Sequence, residues 1–302
     1  MAMAQHRHDL VTGAGGAQGG AVARRLLAAG HQVRGLVRTA AGRQRVPVGA
    51  RPHTADLGDS AAVEAAFDTV THAALHLPLV HDPAAAAHHV ANMAAAARAA
   101  GLEQIVYSTG NRIPAAPTGI AAFETLRAAA ATLLAPDLPT VVLRPPVFLD
   151  NLRAPWVTGP LLHEGVLRYP LPAAAPVAWL SHDDLAAATA AALDRPDLAG
   201  CSLDLGGPEA LTGPQLARAF SDVLDRPVRY EEQDPDAFEA GLSAVLGPAA
   251  TGIADTYRHA AADPALYAAD PAPAHQALGI EPTPLRTWIA AQPWHAPAGA
   301  AR

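Results

Sequence analysis

Val11-Thr12-Gly13-Ala14-Gly15-Gly16-Ala17-Gln18-Gly19-Gly20 is the stretch that decides how this 302-residue chain is read. A short apolar run at 9–12 leads into the glycines, and an alanine- and leucine-rich helical stretch follows, ending near Gly30. Gly13, Gly16 and Gly19 give the spacing G-x-x-G-x-x-G. The first permits a tight turn, the second brings the main chain close to a diphosphate, and the third lets the helix pack on the strand. Free N–H groups at the helix start, with the helix dipole behind them, favour an anion there. Glycine loops also serve as plain turns, but the strand before and the helix after select the dinucleotide reading.

Working outward, apolar strand-like runs alternate with alanine-rich helical ones. Strands are expected at 32–37, 50–54, 70–77, 104–108 and 140–143, and helices at 60–67, 83–100 and 120–134, with a short linker helix through Arg45. Asp59 or Ser60 caps the helix at 60–67, and Gly101 stops the one at 83–100. This alternation predicts an α/β fold, a doubly wound parallel sheet covered by helices on both faces. Beyond Pro145 prolines become dense, so long regular elements are not expected between 151 and 177. A helix at 182–193, a strand at 202–205, a helix at 214–224, a short strand at 228–231 and helices within 235–260 follow. Residues 1–150 read as the nucleotide-binding domain. Residues 151–302 read as a smaller substrate-binding region, partly interleaved with the sheet, with a disordered tail after Trp294.

Composition narrows the function. Half the residues are hydrophobic but 5% are aromatic, so the core is expected to be alanine, leucine and valine. A formal charge of −7 gives no basis for nucleic-acid or acidic-membrane binding. Cys201 is the single cysteine, which excludes an intrachain disulfide and suits a reducing cytoplasm. A strand beginning near residue 9 leaves no room for a signal peptide, and no apolar run reaches the ~18 residues of a membrane span. The expectation is a cytoplasmic protein acting on a small molecule, with no oligomeric state assigned. The sequence contains no lysine: all 21 basic residues are arginine. No side chain can therefore act as a lysine acid, base or Schiff-base amine.

Cofactor choice is read at the end of the second strand, where an NAD site usually places an acid for the ribose hydroxyls. Leu36-Val37-Arg38-Thr39 has none. Arg38, with Arg43 as a helper, suits a 2′-phosphate, which favours NADP(H) over NAD(H); the other reading is an ordinary surface arginine. Asp56-Leu57 follows the third strand, where Asp56 contacts the adenine or caps a helix.

These segments, with Val106-Tyr107-Ser108-Thr109, Leu143-Arg144-Pro145-Pro146-Val147-Phe148, Asp150-Asn151 and 205–212, resemble the NmrA-like branch of the short-chain dehydrogenase/reductase superfamily, over about residues 9–290. The resemblance implies a Rossmann-type fold, an NADP(H) site and, often, reduction of quinones, azo dyes or ketones; some members are non-catalytic regulators. It places Gly13, Gly16, Ala17, Gln18 and Gly19 on the pyrophosphate and Leu77 and Pro78 along the ribose. Ser108, Thr109, Pro145, Val147 and Phe148 join them at the carboxyl edge of the sheet. Pro145-Pro146 also reads as a plain strand terminator.

The departure lies in the helix after the fifth strand. Many members of the family it resembles carry a lysine there, in Phe-x-Ser-Lys, whereas this chain has Phe123-Glu124-Thr125-Leu126. Leu126 shares a helical face with Phe123, Ala130 and Leu133, a core pattern. Arg127 lies about a hundred degrees around the helix and cannot readily release a proton. No Tyr-x-x-x-Lys exists either. Candidate acids are Tyr107, Ser108, His163, Tyr169, His182 and Asp183, the last equally a helix cap. Asn151 orients substrate or serves a turn, and Trp156, Tyr169 and Trp179 line a pocket or pack a core. Of the clustered histidines (His72, His76, His81, His88, His89), none belongs to a familiar metal-ligand set, and only His76 faces the expected cofactor edge. Three functions follow: an NADP(H)-dependent reductase of a hydrophobic conjugated carbonyl or quinone, a non-redox epimerase or cyclase, or a non-catalytic NADP sensor.

Overall fold

The computed structural model describes residues 7–78 and 82–294. The chain begins β1 (His8–Thr12), α1 (Ala17–Ala28), β2 (Gln32–Val37), α2 (Ala40–Gln44), β3 (Arg51–Thr54), α3 (Ser60–Phe67), β4 (His72–His76) and α4 (Pro83–Ala100). It continues β5 (Gln104–Ser108), α5 (Ala121–Leu133), β6 (Thr140–Arg144), α6 (Pro155–Glu164), β7 (Val166–Tyr169), α7 (His182–Leu193) and β8 (Ser202–Asp204). The remainder is α8 (Gly213–Leu224), β9 (Arg229–Glu232), α9 (Pro235–Leu246), α10 (Ala249–Ala262), α11 (Ala272–Leu278) and α12 (Leu285–Ala291). His81 and the tail beyond Trp294 lie outside the described residues.

Seven strands form one sheet in the order β3-β2-β1-β4-β5-β6-β8, and each neighbouring pair is parallel. The order reverses between β1 and β4, the switch point where open α/β sheets bind ligands. The strands read as buried runs because helices cover both faces. Leu10, Leu36, Leu75, Ile105 and Tyr107 pack on one face with Val63, Phe67, Met93 and Leu133 of α3, α4 and α5. On the other face, α1 packs along α7.

The chain divides into two compact units. The first comprises Met1–Pro145, His182–Leu205 and Pro273–Ile280; the second comprises Pro146–Ser181, Gly206–Ala272 and Glu281–Arg302. Large aromatic residues gather in the second. Tyr169 stands edge-on to Trp179 and Tyr257 at 5.2 and 5.7 Å, and Phe238 stands edge-on to Tyr257 at 5.3 Å.

One expectation fails here. The proline-dense segment 151–177 contains α6, ten residues long, and β7, which pairs in parallel with β9. Pro155 occupies the first turn, where its missing N–H has no intrahelical partner to lose, and Gly165 ends the helix at φ +67°. Pro160 is tolerated inside because Val157 and Leu161 anchor the helix in the core.

Candidate nucleotide site

The site is built where β1 meets α1. Gly13 takes φ +60°, and Gly16 N–H donates to its carbonyl at 2.8 Å, closing the turn. A Cβ on Gly19 would sit 2.5 Å from the carbonyl oxygens of both Thr12 and Gly13, so only glycine lets α1 approach β1 this closely. Helix α1 starts at Gly16 without a side-chain cap and without an acidic residue in its first turn. Gly16 and Ala17 are exposed, and the acceptor Gln18 Oε1 is buried without a partner. The free main-chain amides at the start of α1 are the donors that fit a diphosphate.

Arg38 is exposed at the end of β2. Thr39 caps α2 by accepting from Gly42 N–H at 3.0 Å. Arg43 donates to the Pro52 carbonyl at 3.1 Å, which ties it to β3 and leaves Arg38 as the arginine nearest the strand's carboxyl end. Asp56 Oδ1 accepts from Gly58 N–H at 2.8 Å and shapes the turn, while Asp59 caps α3 through Ala62 N–H at 3.1 Å. Leu57 and Leu77 pack against the core, and Pro78 is exposed.

Strands β4 and β5 pair His76 with Ser108, so these side chains share a face. With Gln18 and Gly19 they line a small cavity beneath the glycine loop, closed below by Leu185 and Thr189 of α7. Ser108 Oγ accepts from Gly110 N–H at 3.3 Å. The Thr109 hydroxyl sits 2.6 Å from the Asn111 carbonyl and 3.2 Å from that of Leu143, holding the loop after β5. His182 opens α7, close enough for its charge to act on His76.

Tyr107 is corrected. As the neighbour of Ser108 it points to the opposite face, is fully buried among Leu75, Ile105 and Leu133, and has no partner for its hydroxyl. Burial pushes its phenol well above the usual tyrosine range. A side chain packed there does not reach a substrate, so Tyr107 is withdrawn as a catalytic candidate. Leu126 packs on the same core. Arg127 pairs with Glu124 at 3.1 Å and donates to the carbonyls of Pro114 and Ala116, so it braces the loop before α5.

Pro145 ends the first segment of the first unit; Val147 and Phe148 are buried in the second, where Leu180 N–H donates to the Val147 carbonyl at 3.2 Å. Within that unit Asn151 Nδ2 donates to the Tyr169 hydroxyl at 3.2 Å, and Tyr169 and Tyr257 share a hydroxyl–hydroxyl bond of 2.7 Å. Burial raises both phenols, so they are neutral hydrogen-bonding groups. Tyr257 lies in α10 with no local motif to mark it. Among the described residues no group of three or more His, Cys, Asp or Glu side chains is arranged to hold a metal, and no helix is long and apolar enough to cross a membrane.

Comparison with known proteins gives this site a lineage. The NmrA-like family pattern matches residues 7–260. A (4-alkanoyl-5-oxo-2,5-dihydrofuran-3-yl)methyl phosphate reductase of Streptomyces griseus is 33% identical over 242 residues, spanning 79% of this chain and 82% of that protein. An NAD(P)H azoreductase of Xenophilus azovorans is 30% identical over 223 residues, 73% of this chain and 75% of that one. Among solved structures, an NADPH-dependent quinone oxidoreductase of Escherichia coli superposes with a TM-score of 0.73 at 25% identity, over 94% of this chain and 98% of its own. The glycine loop, the reversed strand order and a family match running from before β1 into α10 agree: this chain belongs to the NmrA-like family.

Proposed function

We propose that this protein is an NADP(H)-dependent reductase of a small, hydrophobic, conjugated acceptor. The observation that carries the reading is the uncapped start of α1 behind Gly13, Gly16 and Gly19 in a chain whose family relatives are named as reductases. In this reading Gly13, Gly16, Ala17, Gln18 and Gly19 hold the pyrophosphate through main-chain amides. Arg38 binds the 2′-phosphate, Asp56 and Leu57 border the adenine, and Leu77 and Pro78 run along the ribose. Ser108, Thr109 and Pro145 continue the row at the carboxyl ends of β5 and β6, and Val147 and Phe148 extend the chain from there.

The nicotinamide, when bound, supplies hydride. The residues then have to position an acceptor and meet the charge that appears on it. Reduction of a carbonyl to an alkoxide calls for a positioned proton donor, and this chain lacks the lysine and the Tyr-x-x-x-Lys pair that would form one. A quinone, an azo bond or an enone spreads the charge over a conjugated system and needs less help. The relatives named for an azo bond and for an oxo-dihydrofuran ring favour that class. Ser108 and His182 are the candidates in the first unit for donating a hydrogen bond or proton to the acceptor.

The test is NADPH consumption in the presence of quinones, azo dyes and enones. Stoichiometric NADPH oxidation with product is expected. Conversion without net cofactor use, or no conversion across all three classes, contradicts the proposal.

A further inference from the structure

His76 ends β4 with its ring set against the glycine loop: a Cβ on Gly13 would lie 2.5 Å from His76 Nε2. The other ring nitrogen is fixed by Thr12, whose Oγ1 stands 3.3 Å from Nδ1. That hydroxyl also accepts from His76 N–H at 2.8 Å and lies 3.1 Å from the His76 carbonyl oxygen. A hydroxyl has one proton to give, and a carbonyl oxygen only accepts. Assigning the hydroxyl proton to the nearer carbonyl gives the tautomer in which Nδ1 carries hydrogen and donates to Oγ1. Nε2 is then a bare lone pair beside the loop. His76 is half-buried at the carboxyl end of β4. Burial, with the charge of His182, holds it near 4, below the ordinary 6.5, so it is neutral at pH 7.

We propose that His76 Nε2 accepts a hydrogen bond from a ribose hydroxyl of the bound dinucleotide, which makes His76 a binding residue whose tautomer is set by Thr12. The inference rests on the dinucleotide reading above. The choice of partner follows from the lone pair, which attracts a hydroxyl and repels a phosphate oxygen. Gly13 is glycine for two reasons: its positive φ, and the room it leaves for this ring. His76 lines one cavity with Gln18 and Ser108 at the switch point of the sheet, its other walls mostly apolar.

Two substitutions separate the ring nitrogens. In His76→Asn the amide nitrogen stands near the place of Nδ1 and keeps the link to Thr12, but nothing reaches the place of Nε2. In His76→Gln the amide oxygen stands near Nε2 and accepts. Affinity for NADPH is measured by equilibrium titration at pH 7.5, with Tm as the check on folding. The expected result is binding about tenfold weaker in His76→Asn and within about threefold of wild type in His76→Gln. Asparagine binding as tightly as wild type, or glutamine losing as much as asparagine, overturns the inference. Should both variants fail to fold, ¹⁵N spectra of the wild-type imidazole decide. On adding NADP+ the Nε2 resonance shifts while Nδ1 stays, or it does not and the inference falls. A wild-type protein that binds no NADPH overturns the dinucleotide reading as well; binding that is indifferent to His76 overturns this inference alone.

Discussion

Arg38 carries the choice between phosphorylated and unphosphorylated cofactor. A charge-assisted bond to a 2′-phosphate contributes about 1.5–3 kcal/mol, and Arg43 is already engaged with Pro52. Arg38→Ala is therefore expected to weaken NADPH by about 10- to 100-fold and leave NADH within about twofold, read from the two dissociation constants. Equal loss for both contradicts the assignment. At this scale the sequence was uneven in what it disclosed. The glycines were legible because their spacing and context carry the geometry. Tyr107 was not: a tyrosine one residue from Ser108 looks like chemistry in a linear string, but strand alternation turns it into the core. The tie between Thr12 and His76 spans 64 positions and exists only once β1 and β4 are side by side.

Local signals placed most elements well because caps and breakers act within a few residues. Gly101 at φ +63° ends α4, and Asp59, not Ser60, caps α3. Asp59→Ala is expected to destabilise the protein by about 1 kcal/mol in urea unfolding, and Asp59→Asn by a few tenths at most, since both Asp and Asn accept from the helix amides. Equal losses would show that charge, not capping, is at work. Helix α6 was missed for the converse reason. Proline density reads as irregular chain, yet a proline at the first helical position is favourable. Strand β7 was missed because its partner β9 lies 63 positions away, and its four residues carry no period of their own. The parallel sheet itself was readable from the alternation of strand and helix, which leaves few ways to connect neighbouring strands.

Asp9 and His76 contribute to the molecule's response to pH with opposite signs. Asp9, beside Arg7 at 2.8 Å, is pushed up from 3.8 to about 6, chiefly by burial. Between roughly pH 4 and 6 the unfolded chain releases this proton and the folded chain keeps it, so this group's contribution to stability falls as pH rises through that window. His76, lowered from 6.5 to about 4 by burial, does the reverse. Below pH 6.5 the unfolded chain takes up a proton that the folded chain refuses, and stability is lost as pH falls toward 4. Each effect is on the order of 3 kcal/mol at most, so they largely offset one another. In His76→Gln the histidine branch is gone, and the variant should gain on wild type steadily as pH drops from 6.5 to 4 in urea unfolding. Parallel curves would contradict this.

The central claim is that the turn after β1 holds a phosphorylated dinucleotide, and equilibrium titration of the wild-type protein with NADPH tests it most directly. Saturation at one site per chain, with NADH binding more weakly, is the predicted result. A titration that never saturates with NADPH contradicts the account.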